Sequence, residues 1–181
     1  TKEDILDNLV YVKGGKRLPT GHKLTNNKTA HPYLRVVDFE NQTINESDLQ
    51  FLEDITYKYI KNYIINKEDL YLSIAGSIGI TGTIPENLDG ANLTENAVRI
   101  IIKDLSVICK EYLSFYLNSE LGQKQIKERI NQVGQPKLAI ERLKTIKIKY
   151  PSITEQKKIV RKIYLFIKEE RIINNSINQK L

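Results

Sequence analysis

The sequence predicts an α+β protein: a mixed, mostly β globular domain over residues 1–151, followed by a long helix over residues 152–181. Three observations carry this. Short runs of β-branched and aromatic residues recur through the first half of the chain, as strands require. The stretch 107–130 switches to helical spacing. From Ser152 a one-sided apolar stripe runs to the end.

In chain order, Leu9–Val12 reads as a short strand, followed by a turn at Gly14-Gly15 and a loop containing Pro19 and Gly21. "YLRVVDF" (33–39) reads as one strand. "EDITYKYIKNYIINKEDLYLSIA" combines a short helical turn with strands, of which "DLYLSIA" (69–75) is the clearest. "ITGTI" and "NAVRIIIK" (96–103) are strand-like. Apolar residues at 108, 112, 113, 116, 117 and 121 then predict an amphipathic helix, which Gly122 is expected to break or bend. A polar stretch, "NQVGQPKL", precedes a short strand "TIKIKY" (145–150) that ends at Pro151. Ser152 with Glu155 three residues later fits a capping box. Ile159, Ile163, Phe166, Ile173, Ile177 and Leu181 follow on one side, with a weak point at Glu170. Roughly twenty-eight residues at about 1.5 Å each give a rod of about 42 Å, long enough to project and pair with another helix.

The 181 residues suffice for one domain with a real core and an appended element. No run approaches the roughly eighteen apolar residues of a membrane-spanning helix, and no signal peptide opens the chain. The single cysteine, Cys109, cannot form an internal disulfide, so a cytoplasmic location is expected. The absence of methionine implies that Thr1 followed a removed initiator or that the chain was cut from something longer.

The net charge of +6 is unevenly spread. Residues 8–37 hold Lys13, Lys16, Arg17, Lys23, Lys28, Arg35 and both histidines, and no acid. Residues 120–181 hold fifteen Lys and Arg against six Asp and Glu, and the middle of the chain is acidic overall. Two basic segments point to a polyanionic partner.

The glycines of "AGSIGITGTI" raise the question of a nucleotide loop. A P-loop has four residues between its glycines and then Lys and Ser or Thr; here five separate Gly76 from Gly82, and Thr83-Ile84 come next. A dinucleotide fingerprint opens a helix, whereas the residues after Gly82 are strand-like and run into Pro85. The glycines therefore serve a turn or bulge, or bring backbone and Ser77 close to DNA. Catalytic constellations fail in turn. No Pro-Pro-aromatic methyltransferase stretch exists. His22 and His31 lie nine apart without nearby Cys or carboxylate and make a poor metal site. Cys109 is expected on an apolar helix face as a buried structural thiol. Asp38 and Glu40 lack the further carboxylates and lysine of a nuclease. No catalytic residue, metal or cofactor is expected.

"AGSIGITGTIPENLDGANLTENAVRI", "YLSFYLNSELGQKQI" and "KLAIERLKTIKIKYPSITEQKKIVRKI" together resemble the target-recognition domain of type I restriction–modification DNA specificity subunits. "GGKRLPTGHKL" and "HPYLRVVDF" resemble the same family's opening, and the match runs in order over almost the whole chain. The resemblance implies a non-catalytic subunit that reads one part of a split double-stranded DNA target. It also implies docking onto adenine-modifying methyltransferase subunits, which restriction subunits join. Full-length members alternate two recognition domains with two helical spacers; this chain has one of each. It is thus expected to be a half-subunit, a fragment, or the recognition part cut from a fused type IIG restriction–methyltransferase. A protein-interaction module working through the terminal helix is the reading outside DNA binding.

Within this frame Lys13, Lys16, Arg17, Lys23 and Lys28 are expected to contact phosphates. Arg35 is a candidate to fork onto a guanine, and Gln135 and Lys137, in a second polar loop, are further candidates with Ser77. Ile159, Ile163, Phe166, Ile173 and Ile177 are expected to pair antiparallel with a second copy or a second recognition domain.

Overall fold

The computed structural model describes residues 1–40 and 42–178; Leu181, the last residue of the expected stripe, lies outside them. The chain opens with β1 (Lys2–Ile5), the single helical turn α1 (Leu6–Leu9) and β2 (Val10–Gly14). After a long loop come β3 (Pro32–Leu34), β4 (Phe39–Glu40), β5 (Thr43–Ile44) and β6 (Gln50–Phe51). Helix α2 (Asp54–Ile60) leads to β7 (Ile64–Ile65), β8 (Leu70–Ser73) and β9 (Thr81–Thr83). Next are β10 (Ala91–Leu93), β11 (Ala97–Ile102), α3 (Lys110–Asn118) and α4 (Glu120–Arg129). The turn α5 (Ile140–Leu143), β12 (Lys147–Tyr150) and α6 (Ile153–Asn178) complete the chain. The α+β class and the long terminal helix match the sequence expectation.

The central sheet runs β2-β11-β8-β9, every pair antiparallel. A second sheet, β6-β3-β10-β7, includes the parallel pair β3–β10. β1 pairs with β12, tying the two ends of the domain together. Strand β8 reads "LYLS" with all four residues buried, because both of its faces are covered. On one side Leu72, Val98 and Ile100 join Ile108, Leu113, Leu117 and Ile126 of the helical segment in the main core. Tyr71, on the other face, packs with Phe39 and Ile65 in a second core.

Three local expectations are corrected. "YLRVVDF" is not one strand: it stops at Leu34 and turns through a 3-10 segment, Val36–Asp38. The Asp38 carboxylate causes the turn by accepting the Arg35 backbone N–H at 2.8 Å, a local bond that competes with ladder pairing. The helix over 107–130 breaks at Ser119, not Gly122. Ser119 is extended, and its hydroxyl accepts the Gly122 N–H at 3.2 Å as an N-cap. Cys109 is half-buried at the N-cap of α3 instead of on its apolar face, and burial pushes its thiol pKa up.

Helix α6 starts where its sequence predicts, with one bond of the expected capping box in place: the Glu155 N–H donates to Ser152 Oγ at 3.3 Å. The neighbouring Gln156 is fully buried and pins the helix to the domain. Its amide donates to the carbonyls of Val107 at 2.8 Å and Pro151 at 3.0 Å, and its oxygen accepts the Cys109 N–H at 3.0 Å. Tyr164 meets Phe115 of α3 edge to face at 5.4 Å. At about 100° per residue, Gln156, Val160, Tyr164 and Ile167 share this docked side. The expected stripe lies about a quarter turn away. Ile159 and Ile163 are half-buried, whereas Phe166, Ile173 and Ile177 stand 61%, 58% and 53% exposed. Among the described residues no helix is long and apolar enough to cross a membrane.

Candidate nucleic-acid interface

The antiparallel registers bring several loops to one end of the central sheet. Gly14, at the end of β2, pairs with Val98, and Ser73, at the end of β8, pairs with Ala97. Backbone bonds then carry the row sideways. The Gly15 N–H donates to Ala97 O at 3.1 Å and the Lys16 N–H to Leu93 O at 2.9 Å. Ile74 and Ala75 donate to Asn96 O at 2.8 and 3.3 Å, and Ala75 bridges to Lys137. Lys16, Arg17, Ser77, Gln135 and Lys137, far apart in sequence, thus leave from one edge. The β11 strand runs from this edge toward Val107, where Gln156 roots α6. The loops and the helix root occupy opposite ends.

The first loop is laid over α2. His22 Nδ1 lies 2.7 Å from Thr56 Oγ1, and its ring meets Tyr59 edge-on at 5.2 Å. His31 stacks on Tyr57 at 3.7 Å and bonds Asp54 at 3.0 Å. Both histidines therefore hold the loop, and no metal-binding cluster occurs among the described residues. Tyr33, whose hydroxyl burial pushes up to about 12, donates to Lys16 O at 2.9 Å. Arg17 pairs with Glu95 at 2.8 Å, yet its side chain stays 79% exposed. Burial pushes the Glu95 carboxyl up, but hydrogen bonds from Arg17, its own backbone and Thr94 outweigh this and hold it below its ordinary value. Lys16 Nζ sits 5.4 Å over the Tyr63 ring.

This docking adds residues beyond those that sequence reasoning singles out. Lys58, Tyr59, Lys61 and Tyr63 are exposed on or just beyond α2, beside the Lys16–His22 loop. The signal is present in "TYKYIKNY", where tyrosines alternate with lysines, the composition of phosphate-contacting surfaces.

The remaining expected residues are spread over the domain. Lys13 is exposed on β2, and Lys23 is exposed in the first loop. Lys28 lines a hollow of about 620 Å³ together with Glu46, Asp48 and Asp89, an acidic setting unlike that of Lys16. The Arg35 guanidinium is committed within the protein: it forks onto Asp38 at 2.8 and 3.1 Å and reaches Asp48 O at 2.7 Å. In the glycine loop, a Cβ on Gly82 would lie 2.4 Å from the Gln42 backbone, and Gly79 has a φ of +93° against α4. Those two glycines answer to the protein's own packing. Gly76 and Ser77 remain exposed at the tip.

The structure thus places a basic loop rim at one end of the domain and the root of a long helix at the other. The family model for the type I restriction modification DNA specificity domain matches residues 4–181, and the chain belongs to that family. It is 26% identical over 151 residues to the EcoBI specificity subunit of Escherichia coli, spanning 82% of this chain and 31% of that subunit. Its fold matches a type I specificity subunit from M. genitalium at a TM-score of 0.64, with 16% identity and coverage of 99% of this chain and 43% of that one. It matches the corresponding subunit from Thermoanaerobacter tengcongensis at 0.66, with 14% identity and coverage of 97% and 39%. A chain from a structure of type I restriction–modification complex assembly matches at 0.74, again 14% identical, over 97% of this chain and 40% of that chain. The chain therefore spans about a third of the curated relative and about two fifths of the solved ones.

Proposed function

We propose that this chain is a non-catalytic DNA sequence-recognition module that reads one part of a split target for a type I restriction–modification complex. Residues 1–151 are the reading domain and residues 152–181 the spacer. The module docks onto methyltransferase subunits, which restriction subunits join. The observation that carries the reading is the convergence of Lys16, Arg17, Ser77, Gln135 and Lys137 at the sheet end opposite the α6 root. Cationic side chains there set register on phosphates while amide-bearing side chains reach base edges. Mapping methylated adenines in cells with and without the gene tests it directly: one bipartite motif should vanish with the gene.

The cations make a salt-dependent prediction. Changing Lys16, Arg17 and Lys23 together to alanine should leave folding intact, because all three are exposed. Removing one phosphate contact flattens the slope of log affinity against log salt by about 0.9, so the triple variant's slope should be shallower by roughly 2–3. The Arg17–Glu95 pair is no obstacle, since so exposed an ion pair contributes little. An unchanged slope would remove this loop from the DNA.

The exposed half of α6 supports pairing with a second recognition domain or a second copy. The observed 26 residues give about 39 Å, close to the roughly 34–36 Å turn that separates two half-sites on one face of a duplex. Phe166, Ile173 and Ile177 need a partner helix to leave water. Sedimentation of the chain should show a dimer that Phe166→Glu plus Ile173→Glu dissociates into folded monomers. A wild-type monomer at all concentrations refutes self-pairing.

A further inference from the structure

We infer that Val133, at the tip of the 131–137 loop, is a specificity-determining residue that enters the DNA major groove and packs on the 5-methyl group of a thymine. The inference rests on the DNA-reading role proposed above. Val133 is 84% exposed, more than any other large apolar side chain among the described residues, and Gln132, Gly134, Gln135 and Pro136 around it are exposed as well.

A lone exposed valine is ordinary on a protein surface. The build of its loop is not. Asn131 and Lys137 exchange backbone bonds at 2.9 and 3.4 Å, and the Val133 N–H donates to Asn131 Oδ1 at 3.1 Å. Gly134, with a φ of +74°, reverses the chain at the tip. At the base, the fully buried Leu138 donates its N–H to Ile74 O at 2.9 Å, and Lys137 bridges to Ala75. The result is a short finger, a loop closed at its neck by the single Asn131–Lys137 bridge and tied through Lys137 to the Ser77 loop, with its tip exposed. The major groove of B-DNA, about 12 Å wide, admits a two-stranded ribbon, and a loop closed by one such bridge is no wider.

Charge and chemistry at the tip agree with that destination. No acid occurs between Arg129 and Ile140, so nothing on the finger opposes the phosphates it would pass between. Val133 stands between Gln132 and Gln135. A glutamine amide matches the N6 and N7 groups of adenine, and an apolar side chain matches the thymine methyl, so both chemistries at the tip select an A·T pair.

Duplexes carrying the mapped target, with each thymine changed in turn to deoxyuridine, test the contact on the full chain assembled with the methyltransferase subunits of its host. Deoxyuridine lacks only the methyl. Wild-type binding should fall about fourfold at one position, the expected loss for one buried methyl. Val133→Ala should bind the thymine duplex at least about fourfold more weakly and be indifferent to deoxyuridine at that same position. Thermal unfolding of the variant should match the wild type, given the exposure of residue 133. Equal deoxyuridine sensitivity in wild type and variant overturns the inference, as does a recognised half-site with no A·T pair. So does a variant that binds DNA normally but assembles poorly with methyltransferase, which would make residue 133 a protein contact. A wild-type assembly that binds its target no better than random DNA overturns the DNA-reading role itself, and this inference with it.

Discussion

Gly15→Ala is expected to lower stability by about 3–5 kcal/mol, whereas Gly14→Ala, one residue earlier, should be nearly silent. A Cβ on Gly15 would lie 2.0 Å from Thr94 O and 2.4 Å from Leu93 O, inside the backbone where β10 ends. Backbone carbonyls cannot rotate aside as a side-chain tip can, so the 15–17 segment must lift off the sheet. Lifting removes the bonds from Gly15 N to Ala97 O and from Lys16 N to Leu93 O, each contributing about 1 kcal/mol, and overpacking adds about 1–3 kcal/mol. A Cβ on Gly14 meets nothing closer than Ile140 Cδ1 at 4.0 Å. The urea midpoints of the two variants check the contrast; equal shifts would mean that the basic loop is not seated on residues 93–94. The same loop carries Lys16 and Arg17, so Gly15→Ala should also weaken binding to DNA of any sequence.

How far the sequence is legible depends on the range of the interactions involved. β8, β9, β11 and β12 announce themselves by their own side chains, and α6 by its stripe and Ser152 cap. β1, "KEDI", has one apolar residue and exists because β12, almost the whole chain away, offers it a partner strand. The three residues of β10 likewise depend on neighbours from elsewhere in the chain. Helix α3 ends at Ser119 because a hydroxyl cap forms there, a choice that spacing alone does not reveal inside a continuous apolar pattern. At the candidate site, residue types are legible and their assembly is not. Gln135, Ser77 and Lys16 each carry suitable chemistry, but only the backbone contacts through Leu93, Asn96 and Ala75 put them on one edge. Gln156 shows the reverse: nothing in its local sequence marks it, yet its three bonds to the α3 entry and Pro151 root the whole terminal helix.

Arg35 is where the two levels differ most, and Arg35→Ala decides between them. Read from the sequence alone, an arginine in a basic opening segment suits a guanine edge, whose two acceptors match its fork. In the fold that fork already closes on Asp38, a carboxylate only 3% exposed, and on Asp48 O. The bond from Arg35 N to Asp38 survives in the variant, but the charge partner does not. Removing one member of a buried pair leaves the other uncompensated, at about 3–5 kcal/mol when burial is complete. Arg35 is a quarter exposed and water can enter its place, so about 2–4 kcal/mol is expected. Arg35→Lys should recover less than half of this, since an ammonium restores charge without the two-pronged geometry. Wherever the variants remain folded, their preference at every base position should equal the wild type's, because a guanidinium held by Asp38 and Asp48 has no fork to offer DNA. If instead Arg35→Ala keeps the wild-type urea midpoint and relaxes one guanine position, then the ion pair opens at the duplex, and the turn at 36–38 is held by the Asp38 backbone bond without it.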